Sequence, residues 1–166
     1  MKGREATIGF LAGIAFTLGS MKVVQILASR KKEEKVRFPS MGFVGIGTIN
    51  SAVIRGLLKC DRCPERVTIS PRNAKKAEAL KKEFPCRITI AKSNQEVLDR
   101  SEWVVLGTPP RPDVTKRVLT EIKFREDHTV LSFIAGVTPD TLKKYIGSVK
   151  AIVQALPLPP AEHHRS

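Results

Sequence analysis

Two glycines that follow a short apolar run have the spacing of a phosphate-binding turn. The run GFVGI (42–46) leads into Gly47 and then into an amphipathic stretch, TINSAVIRGLLK (48–59). In a strand–turn–helix unit, Gly45 permits the tight turn, and Gly47 lets a diphosphate approach the main-chain N–H groups at the helix start. The third position of the pattern is usually a small residue. Here it is Asn50, which predicts a helix that is slightly displaced or tilted.

The residues after the second predicted strand favour a phosphorylated ribose. An NAD site usually carries Asp or Glu here, which accepts hydrogen bonds from the ribose hydroxyls. This chain reads Ser70-Pro71-Arg72-Asn73, without an acid. Ser70 and Asn73 can hydrogen-bond a 2′-phosphate, and Arg72 can add a charge-assisted contact. The alternative is a solvated Arg72 in the first turn of a helix. Because the helix dipole disfavours a cation there, the pattern favours NADP over NAD.

The cysteines give no metal site. Cys60 and Cys63 form a C-x-x-C pair, and Cys86 stands apart. A structural zinc ion needs four ligands, and the remaining candidates, His163 and His164, are adjacent to each other and far away in sequence. The pair is interpreted as two incidental loop thiols, with a redox pair as the alternative. Three cysteines in this arrangement indicate a reducing compartment.

The sequence also predicts no catalytic residue. Asp127 and His128 fall in a predicted turn before a strand and are interpreted as solvated loop residues. Tyr145 is expected to pack on its own helix, although a role as proton donor stays open. No Ser-His-Asp set or carboxylate pair offers another chemistry.

Strand and helix patterns alternate regularly from Met41 onward. The strand patterns lie at 42–46, 66–70, 87–91, 103–108, 129–136 and 149–157, and helix patterns lie at 48–59, 71–84, 93–100, 111–122 and 138–147. Continuous apolar strands require cover on both faces, which predicts a mostly parallel sheet with helices on each side. This is a doubly wound, Rossmann-type α/β fold. Its ligands bind beyond the carboxyl ends of the strands, where both motifs above would lie.

The first residues are of a different kind. ATIGFLAGIAFTLGSMKVVQILA (6–28) is mostly apolar, with Lys22 near one end, and predicts an apolar helix. A helix of this length would span about 30 Å of hydrocarbon. Three alternatives stay open: a membrane anchor, a cleaved targeting segment or a helix that packs on a partner. The basic residues that follow favour a cytoplasmic domain. A mitochondrial location is the alternative, against which Glu5 counts.

We therefore predict two regions, an apolar leader or anchor with a charged linker at 1–40 and an NADP-binding domain at 41–166. The formal net charge of +13 favours anionic partners. Nucleic acid is disfavoured, because aromatic residues make up only 5% of the chain and the cations are spread over several predicted helices.

Three stretches, GFVGIGTINSAVIRGLL, VTISPRNAKKAEAL and SFIAGVTPDTLKKYIG, resemble in order and spacing the N-terminal domain of the pyrroline-5-carboxylate reductases. The wider group of NADP oxidoreductases with F420-reductase-like domains is similar. The resemblance covers roughly residues 41–160 and implies an NADP site. The residues that it implies are Gly45, Gly47, Thr48 and Ile49 at the phosphates; Ser70, Arg72 and Asn73 at the 2′-phosphate; Thr108 and Pro109 on the adenosine side; and Ala135 and Gly136 near the nicotinamide.

The chain departs from the family pattern at two places besides Asn50. The family's Val-Lys-Pro after the fourth strand is Thr108-Pro109-Pro110 here, and its Met-Pro-Asn-Thr-Pro after the sixth strand is Leu156-Pro157-Leu158-Pro159-Pro160. The asparagine that would face nicotinamide and substrate is thus Leu158. In the family, a helical C-terminal domain forms the dimer and completes the substrate pocket, and we expect it to be missing here.

Two functions follow from this resemblance. The first is an NADP-dependent oxidoreductase of the pyrroline-5-carboxylate reductase type, in a truncated form, that transfers hydride to a small cyclic imine or carbonyl compound. The second is a non-catalytic NADP-binding or interaction module, tethered to a membrane through residues 6–28. A homodimer is expected only together with a C-terminal domain.

Overall fold

A computed structural model describes residues 37–163 of the chain. Within that range the strands are β1 (Met41–Val44), β2 (Val67–Ile69), β3 (Ile88–Ile90), β4 (Trp103–Leu106), β5 (Thr129–Ser132) and β6 (Ala151–Gln154). The helices are α1 (Thr48–Lys59), α2 (Ala74–Glu83), α3 (Asn94–Asp99), α4 (Pro112–Thr120) and α5 (Pro139–Ile146), followed by a 3-10 turn at Pro159–His163.

All six strands run parallel in one sheet, in the order β3-β2-β1-β4-β5-β6. The strand order reverses between β1 and β4, and this is the switch point at which ligands bind in doubly wound folds. The predicted Rossmann-type fold is confirmed.

Helices cover both faces of the sheet because alternate strand residues point in opposite directions. Phe43 and Val105 pack in one core cluster with apolar residues of α1 and α2. Val44 and Leu106, their neighbours along the strands, pack in a second cluster with residues of α3, α4 and α5. Both clusters consist mainly of aliphatic side chains, so burial on the two faces holds the sheet between its helices.

Several strands end earlier than the apolar patterns predict. The pattern at 129–136 continues past β5, which ends at Ser132. Ile134 is still buried, but Gly136 has a φ of +74°, which breaks the extended backbone. Apolar residues beyond a strand end can therefore be buried under the loops that form the ligand-binding edge.

The apolar stretch 6–28 lies outside the described residues, and its three alternatives stay predictions. Among residues 37–163, no helix has both the length and the apolar character that a membrane crossing requires.

Candidate functional site

The glycine turn joins β1 to α1 at the switch point. Gly45 has a φ of +88°, and a Cβ atom there would lie 2.8 Å from the carbonyl oxygen of Gly107, which follows β4. Only glycine satisfies both the left-handed conformation and this close approach. The Gly45 N–H donates to the hydroxyl of Ser70 at 2.9 Å, so the turn is fixed from the end of β2 as well.

The start of α1 is open. Gly47 is the N-cap residue, and a Cβ atom placed on it would meet nothing within 4 Å. No side chain caps the helix, and its first turn carries no acid. Thr48 is exposed and Ile49 is half-buried. The first N–H groups of α1 therefore face a space in which an anion would be stabilised by the helix dipole.

Asn50 is packed into the turn that it follows. Its Nδ2 donates to the carbonyl oxygen of Gly45 at 2.6 Å, and the residue is 1% exposed. A Cβ atom at Gly107 would collide with this amide group. The absence of a side chain at Gly107 thus makes room for Asn50 at a position where the pattern expects a small residue. The Asn50 Oδ1 is buried and has no hydrogen-bond partner among residues 37–163.

Ser70 and Asn73 brace this turn from the side of β2. Ser70 is fully buried, with its hydroxyl on the Gly45 N–H. The Asn73 Nδ2 donates to the carbonyl oxygen of Ile46 at 3.0 Å, and its Oδ1 caps α2 by accepting from the N–H of Lys76 at 3.3 Å. The structure therefore directs both side chains to the protein. Their predicted contact with a 2′-phosphate stays a prediction.

Several cationic side chains lie near the start of α2. Arg72 is exposed, and within residues 37–163 its guanidinium makes no hydrogen bond or ion pair. The Lys76 Nζ donates to the Thr48 hydroxyl at 3.0 Å and so lies beside the start of α1. Lys75 is exposed, and the first turn of α2 has no acidic residue. Sequence reasoning missed Lys76, although the dipole argument applied to Arg72 holds for any cation in this turn.

The other predicted residues follow β4 and β5 on the same edge. Thr108 is buried, and its hydroxyl lies 3.4 Å from that of Thr115 in α4. Pro109, Ala135 and Gly136 are exposed. A Cβ atom at Gly136 would meet nothing within 4 Å, so the loop after β5 faces open space.

The segment after β6 returns toward the first βα unit. Ala155 still donates to the Ser132 carbonyl oxygen at 3.0 Å, and the 3-10 turn a few residues later contacts α1. Since β6 and α1 lie on opposite sides of the switch point, residues 155–158 must cross the carboxyl edge of the sheet. Leu156 and Leu158 on this crossing are 61% and 57% exposed.

His128 corrects one sequence interpretation. It is fully buried rather than solvated, because its ring lies against α3. The Nδ1 accepts from the N–H of Arg125 at 3.0 Å, and the Nε2 lies 3.1 Å from the carbonyl oxygen of Leu98. Burial, together with the nearby Arg125 charge, lowers the pKa of His128. Asp127 is exposed, as expected, and its hydrogen bond with Arg125 lowers the pKa of its carboxyl group.

These two groups lie at the amino edge of the sheet, opposite the glycine turn. Tyr145, expected to pack on its helix, is 38% exposed. Among the residues that the structure describes, no group of three or more His, Cys, Asp and Glu side chains could hold a metal ion.

A family model described as "NADP oxidoreductase coenzyme F420-dependent" matches residues 40–136. The chain belongs to this family. The match runs from the residue before β1 to Gly136 and contains every residue that the sequence predicts for the cofactor site. The predicted resemblance is confirmed, and so is NADP as the cofactor class of the family.

Curated relatives of the chain are pyrroline-5-carboxylate reductases. The Escherichia coli enzyme is 31% identical over 124 residues, which are 73% of this chain and 45% of that protein. Pyrroline-5-carboxylate reductase 3 of Xenopus laevis is 29% identical over 120 residues, 70% of this chain and 42% of the relative. The chain thus spans less than half the length of these relatives.

Solved structures share the fold. A pyrroline-5-carboxylate reductase from Coxiella burnetii superposes with a TM-score of 0.57 at 24% identity, over 75% of this chain and 46% of that one. A reductive aminase from Aspergillus terreus, solved with NADPH and ethyl levulinate, gives a TM-score of 0.55 at 17% identity, over 70% of this chain and 40% of that one. At these identities the likeness concerns the fold alone.

Proposed function

We propose that residues 41–166 form the NADP-binding domain of a reductase of the pyrroline-5-carboxylate reductase type, which reduces a small cyclic imine or carbonyl compound. One observation carries this proposal: an open, uncapped helix start at the switch point, with the Lys76 ammonium on the Thr48 hydroxyl and the exposed Arg72 guanidinium near the start of the next helix. Family membership and the curated relatives support it. The bound dinucleotide would supply the hydride, and the residues of this chain would bind and orient it.

The diphosphate would lie against the start of α1. The N–H groups at Gly47, Thr48 and Ile49 would donate to its oxygens, and the open space at Gly47 admits it without contact with a side chain. The Lys76 ammonium, already on the Thr48 hydroxyl, would add a positive charge at the same place. Asn50 would stabilise the turn through its hydrogen bond to the Gly45 carbonyl oxygen.

The 2′-phosphate would bind to Arg72. Its exposed guanidinium can form a bidentate contact, and the acid-free first turn of α2 leaves room for a second anionic group. Ser70 and Asn73 would support this contact by keeping the two turns in register. Thr108 and Pro109 would flank the adenosine, and the open loop at Ala135 and Gly136 would face the nicotinamide.

A helical C-terminal domain, as in the family pattern, would supply the second wall of the substrate pocket and the dimer contact. Positioning of the substrate carbon against the nicotinamide contributes much of the rate in such reactions.

A non-catalytic NADP-binding module is the second candidate. Leu158, where the family pattern has an asparagine, favours it, because a leucine side chain can neither donate nor accept a hydrogen bond. It is also exposed on the segment that crosses the carboxyl edge.

Calorimetry with NADPH and NADH tests the cofactor site. We expect Arg72→Ala to weaken NADPH binding by about 1.5–3 kcal/mol, as for a lost charged hydrogen bond, and to leave NADH binding nearly unchanged. Lys82→Ala is the matched control, because Lys82 is an exposed cation in the last turn of α2, at the far end of the helix that follows Arg72. Equal weakening of both dinucleotides by Arg72→Ala would exclude its contact with the 2′-phosphate.

Steady-state NADPH oxidation with a series of cyclic imines separates the two functions. Turnover that disappears in Gly47→Trp and Arg72→Ala variants supports the reductase. Normal NADPH binding without turnover of any imine supports the module. Absence of binding by either dinucleotide to folded protein would overturn both.

A further inference from the structure

The Cys60–Cys63 pair lies at the amino edge of the sheet, away from the glycine turn. Cys60 is the C-cap residue of α1, and Cys63 lies in the loop that leads to β2. Both side chains are half-buried, and neither forms a disulfide. Both residues therefore keep part of their surface exposed to solvent.

The two sulfur atoms have opposite hydrogen-bonding roles. The Cys60 thiol donates to the carbonyl oxygen of Gly56 at 3.4 Å. The Cys63 Sγ accepts a hydrogen bond from the Nη2 of Arg87 at 2.8 Å. This contact places a guanidinium charge directly beside the Cys63 sulfur, and reactive cysteines lie in electropositive surroundings of this kind.

Arg87 is held in place by the main chain. Its guanidinium donates to the carbonyl oxygens of Leu58 at 3.3 Å, Pro64 at 2.8 Å and Glu65 at 3.4 Å. These hydrogen bonds hold the guanidinium charge beside Cys63.

We propose that these residues form a thiol–disulfide exchange site for small disulfides of the oxidised glutathione class, with Cys63 as nucleophile and Cys60 as resolving thiol. The Cys63 thiolate attacks one sulfur of the small disulfide, forms a mixed disulfide and releases one small thiolate. Cys60 then passes its proton to solvent and attacks the Cys63 sulfur, which expels the second small thiolate. The cysteine pair loses two electrons, which reduce the small disulfide to two thiols.

Cys86 provides an internal reference. It is exposed and next to Arg87 in sequence, so it is at least as accessible as Cys63. If exposure alone determined reactivity, Cys86 would react first. If the Arg87 contact determines it, Cys63 reacts first.

The test treats the full-length reduced chain with oxidised glutathione and follows each cysteine by mass spectrometry after acid quenching. We expect wild type to form a Cys60–Cys63 disulfide, and Cys60→Ser to stop at a mixed disulfide on Cys63. Arg87→Gln should slow the Cys63 reaction by about tenfold or more and leave the Cys86 rate unchanged.

Cys63 reacting no faster than Cys86 in wild type would overturn the proposal, and so would a mixed disulfide on Cys63 that Cys60 never resolves. Arg87→Lys is the second variant, since it keeps a cation but loses the planar fork. Should Arg87→Gln fail to fold, the rate at which Cys63 reacts with oxidised glutathione, divided by the rate for Cys86, is compared between wild type and Arg87→Lys. A lower ratio in Arg87→Lys supports the proposal, and an equal ratio overturns it.

Discussion

The two edges of the sheet use arginine in opposite ways. At the amino edge, Arg125 donates to the carbonyl oxygens of Leu98 at 3.1 Å and Ser101 at 3.0 Å, and Arg87 donates to three more. At the carboxyl edge, Arg72 is exposed and makes no hydrogen bond or ion pair with the residues that the structure describes.

Backbone polarity explains this difference. Helices end at the amino edge, where their last carbonyl groups lack partners inside the helix. The Leu58 and Leu98 carbonyls are of this kind and accept from these arginines, and the remaining acceptors lie in the loops that follow the helices. Helices begin at the carboxyl edge, where N–H groups point outward and a cation gains nothing from the backbone. Arg87 and Arg125 therefore stabilise the fold at the amino edge, whereas Arg72 at the carboxyl edge has no partner among the residues that the structure describes.

The largest effect is expected at the carboxyl edge, where the backbone itself is constrained. Gly45→Ala should lower the free energy of unfolding by about 3 kcal/mol, because it adds left-handed strain and a contact with the Gly107 carbonyl. Gly47→Ala, in open space two residues on, should change it by less than about 0.5 kcal/mol. Urea denaturation measures both, and equal losses would contradict the geometry of the turn.

The pair Asn50 and Gly107 should behave as one unit. Gly107→Ala should lower the free energy of unfolding by about 2 kcal/mol, because its Cβ atom displaces the buried amide. Adding Asn50→Ala should recover much of that loss, since the smaller side chain leaves room. A double-mutant cycle measures the coupling, and strictly additive losses would show that the two residues do not compete for one space.

At the amino edge, Arg125→Met should lower the free energy of unfolding by about 1.5 kcal/mol, because it removes the guanidinium that donates hydrogen bonds to several carbonyl oxygens. NADPH affinity should stay the same, which is the reverse of the result expected for Arg72→Ala. Lys116→Met, at an exposed position of α4, controls for loss of charge alone. A loss of NADPH affinity in Arg125→Met as large as that in Arg72→Ala would contradict the distinction between the two edges.

The smallest effect concerns pH at the amino edge. Burial first, and the Arg125 charge second, lower the pKa of His128 below its ordinary 6.5. The unfolded chain therefore takes up a proton as the pH falls through about 6.5, and the folded chain does so only at lower pH. The free energy of unfolding should be steady above about pH 7 and decrease below about 6.5.

Denaturation at a series of pH values, with His128→Gln as the comparison, measures this slope. The variant should lose the part of the slope that lies just below pH 6.5. An unchanged slope would mean that His128 takes up protons equally in both states.

The parts of the fold that depend on local pattern were predictable. Apolar runs between amphipathic stretches determine the order of strands and helices, and the spacing of Gly45 and Gly47 places the turn. The carboxyl-edge position of Arg72 follows from the parallel sheet. Strand ends were less predictable, because apolar residues such as Ile134 are buried under loops as well as in strands.

The parts that depend on distant contacts were not predictable. The burial of Ser70 follows from its bond to Gly45, and the burial of His128 follows from its place against Leu98. Each contact joins residues from different βα units, so the local hydrophobic periodicity of the sequence does not predict it. The place of Lys76 beside Thr48 is of the same kind.

The sequence by itself determined a parallel, doubly wound sheet with a phosphate-type turn and a cation after the second strand, because hydrophobic period and glycine spacing are local properties. Only the tertiary structure decided which polar side chains face the protein and which face the ligand edge. That choice depends on which backbone groups of neighbouring units lack a partner, and folding brings those groups together.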